Sequence, residues 1–242
     1  MAYHHGDLRS ALVEAAVDLV AEQGLGALSV AAVARRSGVS AAAPYRHFSG
    51  RDALLAATAA RTADELTVAL KAALGGVDDP VQVVGVTAEV YVRFVVGRRA
   101  GLDLVFANEL RALADPNLAT AGRALMDVLL PVGTNVTGDA ATAVILLERV
   151  TASAHGYAHL HLSGFLHHRG TDVDAVAASA AETARQLAHQ TLAASNASAI
   201  NERGRDGARA SAGDTWQTQP VLPESGPART PASSPLPPTA RG

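Results

Sequence analysis

Apolar side chains recur along most of this chain at three- and four-residue intervals, the spacing of a helix face. Between residues 7 and 23, Leu8, Leu12, Ala15 and Leu19 share one stripe. Asp7, Glu14, Asp18 and Glu22 lie mostly off it, and Gly24 and Gly26 end the run. Ser29 caps a short second helix whose apolar face is Val30, Val33 and Ala34. Gly38 breaks that helix, Val39 sits in a turn, and Ser40 caps a third short helix ending near His47 and Phe48. After the Ser49-Gly50 turn, Asp52 opens a longer helix with Leu55, Thr58, Thr62, Leu66, Ala69 and Leu74 on one stripe, closed by Gly75-Gly76 and Pro80. At ~1.5 Å per residue it spans roughly 35 Å, enough to run from one layer of helices into another.

The same period continues beyond Asp79. Val83, Val86, Val90, Tyr91 and Phe94 form one face. A shorter helix is expected around Leu102 to Leu113, another up to about Leu130 with Pro131 and Gly133 ending it, a long apolar one over 139–163, and a last one from about Asp172 to Ala194. No alternating strand pattern of useful length occurs. Ile145, Leu146, Leu147 and Val150 cover much of one helix's circumference, which marks a buried helix. One side of it can face the subunit core and another a second copy of the chain. Ala177, Ala178, Ala181 and Ala184 on the last helix would allow close helix approach in such a dimer. From about Ser195 the composition changes: the last 48 residues hold seven of the eleven prolines. Residues 195–242 therefore read as a disordered Pro-rich tail that cannot offset its ordering entropy, with Trp216 exposed in it.

Composition supports an all-α fold, since the chain is Ala-rich, 48% hydrophobic and only 4% aromatic. With no Cys, disulfides, thiolate metal sites and cysteine nucleophiles are excluded. No apolar run reaches eighteen residues and no signal-peptide core is present at the N-terminus, so a cytoplasmic, non-membrane protein is expected. The formal charge of −3 excludes a generally basic nucleic-acid coat but not a local basic surface. Such a surface exists between Ser29 and Arg51, where Arg35, Arg36, Arg46 and Arg51 occur with no acidic residue. Two short helices joined by a Gly-containing turn form a helix-turn-helix, whose second helix enters the DNA major groove. In that second helix Ala41, Ala42 and Ala43 can only pack on thymine methyls, and Pro44 limits its length. Base discrimination then rests on Arg46, helped by Ser40 and Arg35.

The order and spacing of Asp7 to Gly24, Leu28-Ser29-Val30, Val33-Ala34, Gly38-Val39-Ser40, Tyr45-Arg46-His47-Phe48 and Leu54-Leu55 resembles the TetR family of one-component bacterial transcriptional regulators. The segment Ala154-His155-Gly156-Tyr157-Ala158 is similar to the His-Gly segment of the C-terminal ligand domain of one TetR subgroup; Thr151 stands where that subgroup carries Trp. The resemblance implies a three-helix DNA-binding head at residues 6–66 and an effector-binding, dimerising body at 79–194. It implies phosphate contacts by Tyr45 and His47, Arg51 near the DNA backbone, and a DNA-facing set of Ser29, Arg35, Ser40, Ala41, Ala42, Tyr45, Arg46, His47 and Arg51. It implies a homodimeric, ligand-responsive repressor on a palindromic double-stranded operator, with no cofactor.

Large side chains on inward faces, Tyr91, Phe94, Phe106, Leu125, Met126 and Leu147, are the expected walls of an effector pocket. His155 and Tyr157 would supply its polar contacts, and the effector itself is an unknown small molecule. His155, His159, His161, His167 and His168 also invite a metal reading. The metalloprotease H-E-x-x-H order is absent, and packing or pocket histidines fit better than a metal site. No catalytic constellation stands out, so no enzymatic activity is expected. Two rival readings remain open: an activator or architectural DNA-binding protein with no effector, and a helical small-molecule carrier or enzyme with a vestigial head.

Overall fold

A computed structural model of the chain describes residues 5–99, 104, 108–166 and 172–213. The chain divides into two compact units, residues 1–197 and 198–242; of the second, the described residues are 198–213, all helical. Every regular element among the described residues is a helix. Phe106, His167, His168 and Trp216 lie outside the described residues, as does most of the helix expected over Leu102 to Leu113. Of that stretch, Leu104 is helical and Asn108–Ala112 forms a 3-10 turn.

Helix α1 (His5–Gln23) and the short α2 (Val30–Arg36) fold against the first turns of α3 (Arg51–Leu74). Leu12, Val13, Val17 and Val20 of α1, Val30 and Val33 of α2, and Phe48, Leu54 and Leu55 make a separate small core. Ser29 caps α2 as its sequence suggests, its side chain accepting from the Ala32 N–H at 3.2 Å. Helix α3 then continues into the body, where it packs on α4 (Pro80–Arg98) and α5 (Pro116–Thr137), which in turn pack on α6 (Ala140–Leu162). Asp79, Asp115 and Asp139 cap α4, α5 and α6 through side-chain bonds to the N–H groups of their first turns. Helix α7 (Val173–Gly213) adds Val176, Ala177, Ala180, Ala184 and Ala188 to the body core. By length and composition α4 could cross a membrane. Here it is a core helix that buries Val84, Val92 and Val95.

Three expectations change. The third short helix is not an α-helix: residues 41–43 form a turn and Pro44–Arg46 a single 3-10 turn. Pro44 has no N–H to give the Ser40 carbonyl, which is taken instead by Ala43 at 3.0 Å. Pro131, by contrast, does not end α5. The helix passes through it to Thr137 and stops at Gly138, whose φ of 77° is the left-handed conformation of a C-cap. Val132 and Val136 beyond the proline are buried, and Gly133 lies so close to Ala143 of α6 that a Cβ there would come within 2.8 Å. Tertiary packing outweighs the one lost helical bond. Finally, α7 runs on past Ala194 to Gly213. The stretch beyond Ala194 is still Ala-rich, and all seven C-terminal prolines come at Pro220 or later. On the same helix Ala177, Ala181 and Ala184 are buried in their own subunit, which leaves only Ala178 of that set exposed.

Candidate functional site

The turn after α2 lifts a compact group of side chains into solvent. Ser40, Ala41, Ala42 and Arg46 are exposed and Tyr45 is 59% exposed, while Pro44 and Phe48 anchor the segment in the small core. Ser29 and His47 are half-buried at its edges, and Arg35 is exposed at the end of α2. The guanidinium of Arg9, on α1, lies 5.3 Å from the Phe48 ring centre, a cation–π contact that holds α1 over the anchor. The four arginines of this region divide into two pairs. Arg36 is bound by both oxygens of Glu22 at 2.7 and 2.6 Å, with Asp18 at 3.6 Å. Those bonds hold the Glu22 carboxyl below its ordinary value and push Arg36 up. Arg51 donates from Nε to the Leu28 carbonyl at 3.0 Å, from one Nη to Leu25 at 3.4 Å, and from the other to Glu109 at 2.7 Å. Arg35 and Arg46 have no carboxylate partner among the described residues. The surface therefore offers two available cations beside a phenol and an imidazole, chemistry suited to phosphate and guanine. Arg51, its side chain about one-third exposed, is tied by these bonds to the stretch before α2 and to Glu109.

The body encloses a cavity of about 660 Å³ walled by α3, α4, α5 and α6. Tyr91, Leu125, Met126, Leu147 and His155 line it, as their faces suggested. Phe94 and Tyr157 do not. Phe94 packs on the core away from the cavity, and Tyr157 turns toward α7, where its hydroxyl lies 3.1 Å from Thr183 Oγ1. The Tyr91 hydroxyl and His155 Nδ1 are 3.1 Å apart across the wall, with rings stacked at 28°. Burial pushes the Tyr91 phenol well up, so it remains a neutral hydrogen-bonding group. His155 is thus engaged by a phenol. Leu104 and Leu110 line the cavity while also belonging to the small core beneath the DNA-facing segment.

The model of bacterial regulatory proteins of the tetR family matches residues 12–58, and that of the tetracyclin repressor-like C-terminal domain matches residues 84–184. The chain belongs to the TetR family. It is therefore a DNA-binding transcriptional regulator, and the exposed segment after α2 is the second half of its helix-turn-helix. A protein of unknown function from Rhodococcus sp. RHA1 is 32% identical, with 76% of this chain and 96% of that one covered and a TM-score of 0.61. A tetR-family regulatory protein from Rhodococcus RHA1 is 22% identical, over 74% and 96% of the two chains, with a TM-score of 0.57. FadR from Bacillus subtilis, solved in complex with stearoyl-CoA, is 13% identical over 72% and 96%, also with a TM-score of 0.57. These last two likenesses establish the fold. No curated protein matched the chain.

Some of this TetR-family regulator's site residues carry no local sequence signal. Ala59, Ala63, Leu66 and Leu70 of α3 form one wall of the cavity. Their helical spacing was visible, but nothing marked that face as opposite to Tyr91. A charge network also joins head to body: Glu14 of α1 meets Arg61 of α3 at 3.4 Å and Arg98 of α4 at 3.5 Å. Both arginines share Glu65. With Arg51–Glu109, the head is tied to the body by charge pairs at two places.

Proposed function

We propose that this regulator is a ligand-responsive repressor that binds a palindromic operator as a homodimer. Ser40, Ala41, Ala42, Tyr45 and Arg46 would face the bases and phosphates of each half-site, flanked by Ser29, Arg35 and His47. Two heads of a dimer set ~34–36 Å apart would meet successive major grooves. The apolar side chains left exposed on the last two helices, Ile145, Leu160 and Leu192, together with exposed Ala152 and half-buried Gly156, suit a helix-on-helix contact with a second copy. Repression relieved by an effector is the simplest use of a body cavity in such a protein.

The observation that carries the reading is the double membership of Leu104 and Leu110. A molecule that fills the cavity and presses on these two leucines presses on the small core that seats the DNA-facing segment. Occupancy and head position are then coupled, at the ~1–3 kcal/mol typical between two such sites. FadR from Bacillus subtilis was solved with an apolar-tailed ligand, stearoyl-CoA, which supports an apolar effector as a class. Genomic fragments selected by the full chain would supply the operator. An apolar compound that raises the melting temperature should also release that operator. Ala154→Trp, which fills the cavity from a residue 1% exposed, should block both effects. Release that persists in the Trp variant would place the effector elsewhere.

A further inference from the structure

The cavity has a marked charge asymmetry. Among the described residues that line it, none is a lysine or an arginine. The ionisable lining groups are Tyr91, His155 and Glu148. Tyr91 and His155 are spent on one another at 3.1 Å. Glu148 differs from both: it lines the cavity yet is solvent-exposed, and it has no ion pair among the described residues.

Glu148, Thr151 and His155 are three and four residues apart, so they form one stripe along α6. Met126 and Val144 line the cavity and are also 44% and 41% exposed. In the single chain the opening is therefore between α5 and α6, beside the face proposed to meet a second copy, with the Glu148 carboxylate at its lip and apolar side chains behind it. A ligand entering here meets a negative charge first and finds no cation among the described lining residues. For an anionic ligand that arrangement is doubly unfavourable: the charge is desolvated without a counter-ion and lies near a like charge. For a cation it is favourable, because the carboxylate needs no rearrangement to accept a positive nitrogen while the apolar body occupies the interior.

We propose that this cavity selects lipophilic cations, with the positive nitrogen at Glu148 and the apolar body between α3, α5 and α6. This rests on the ligand-responsive reading and specifies the class of effector. Three probes with the same ten-carbon chain test it: decyltrimethylammonium, decanol and decanoate, titrated calorimetrically into the full-length protein at low ionic strength. Decyltrimethylammonium should bind more tightly than decanol by up to roughly fivefold, the upper end for a solvent-exposed ion pair. Decanoate should bind more weakly than decanol. Glu148→Gln should bring the cation's affinity down to that of decanol and leave decanol itself unchanged, which also shows that the variant is folded. Raising the salt concentration should narrow the gap in the wild-type protein. Decanoate binding as well as decanol, or a cation preference that survives Glu148→Gln, overturns the proposal while leaving ligand responsiveness intact. If no probe binds at all, the reading of the cavity as an effector site fails, and the cation selectivity with it.

Discussion

Arg51→Ala should lower folding stability by about 2 kcal/mol and leave the salt dependence of operator binding unchanged. The magnitude comes from the groups that the guanidinium touches. Its ion pair with Glu109, at 2.7 Å, joins side chains 36% and 51% exposed, and screening limits such a pair to ~0.2–1 kcal/mol. The bond to the Leu28 carbonyl weighs more, because Leu28 is only 1% exposed, and a buried acceptor stripped of its donor costs ~1–3 kcal/mol. The 3.4 Å contact with Leu25 is at the long edge of a hydrogen bond and adds little. Together these give about 2 kcal/mol, or roughly 4–8 °C of melting temperature for a protein of this size. Glu109→Gln removes only the ion pair and should shift the melt by no more than about 3 °C. Thermal melts of the two variants, combined with operator titrations across salt concentrations, separate the roles. A residue that neutralises a phosphate contributes roughly 0.9 to the slope of log affinity against log salt. An Arg51→Ala protein that melts with the wild type and loses nearly one unit of that slope would refute the junction role and return Arg51 to the DNA backbone.

Arg46→Ala should relax base preference by ~1–3 kcal/mol at one position of each half-site, whereas Tyr45→Phe should weaken binding to all sequences alike; competition against a panel of single-base operator variants distinguishes the two. Burial pushes the Tyr91 phenol up, so folding favours its protonated form. The stability this confers is intact below about pH 10 and lost as pH rises beyond it, and Tyr91→Phe should flatten the alkaline end of the melting-temperature profile. Removing residues 196–242 should leave both melting temperature and operator affinity nearly unchanged, since the segment lacks a core-forming pattern; a large fall in either would show that it docks.

Helix content was legible because apolar period and capping residues agreed at almost every element. The two prolines show where local reading stops. Pro44 and Pro131 both withhold a helical N–H, yet the first leaves a single 3-10 turn and the second lies inside α5. Packing on the C-terminal side of each proline makes the difference. Beyond Pro131, Val132 and Val136 are buried and Gly133 is seated on Ala143, whereas directly after Pro44 the side chains of Tyr45 and Arg46 are exposed and burial resumes only at Phe48. Partners far apart in sequence were invisible for the same reason: Glu22 is 14 residues from Arg36, and Glu109 is 58 from Arg51. One misplacement was avoidable. His155 and Tyr157 are two positions apart, so on a helix they point to nearly opposite sides and cannot both face one cavity.

Helix α3 has three buried threonines, and each satisfies its hydroxyl within the helix: Thr58 on Leu54, Thr62 on Thr58 and Thr67 on Ala63, at 2.7, 3.0 and 2.8 Å. None of the three needs an acceptor on a neighbouring helix. The buried flank of α3 is thus chemically smooth, a greased rod in an aliphatic sleeve, and among the described residues its side-chain tethers to other elements are Arg51, bound to Glu109 and to the Leu25 and Leu28 carbonyls, and the pairs Arg61–Glu14 and Glu65–Arg98. Such a rod can slide or roll by a fraction of a residue without breaking any of these threonine hydrogen bonds. Resistance to that motion is set by packing and by the charge pairs at Arg51 and Arg61, so ionic strength becomes a mechanical variable for the position of the head.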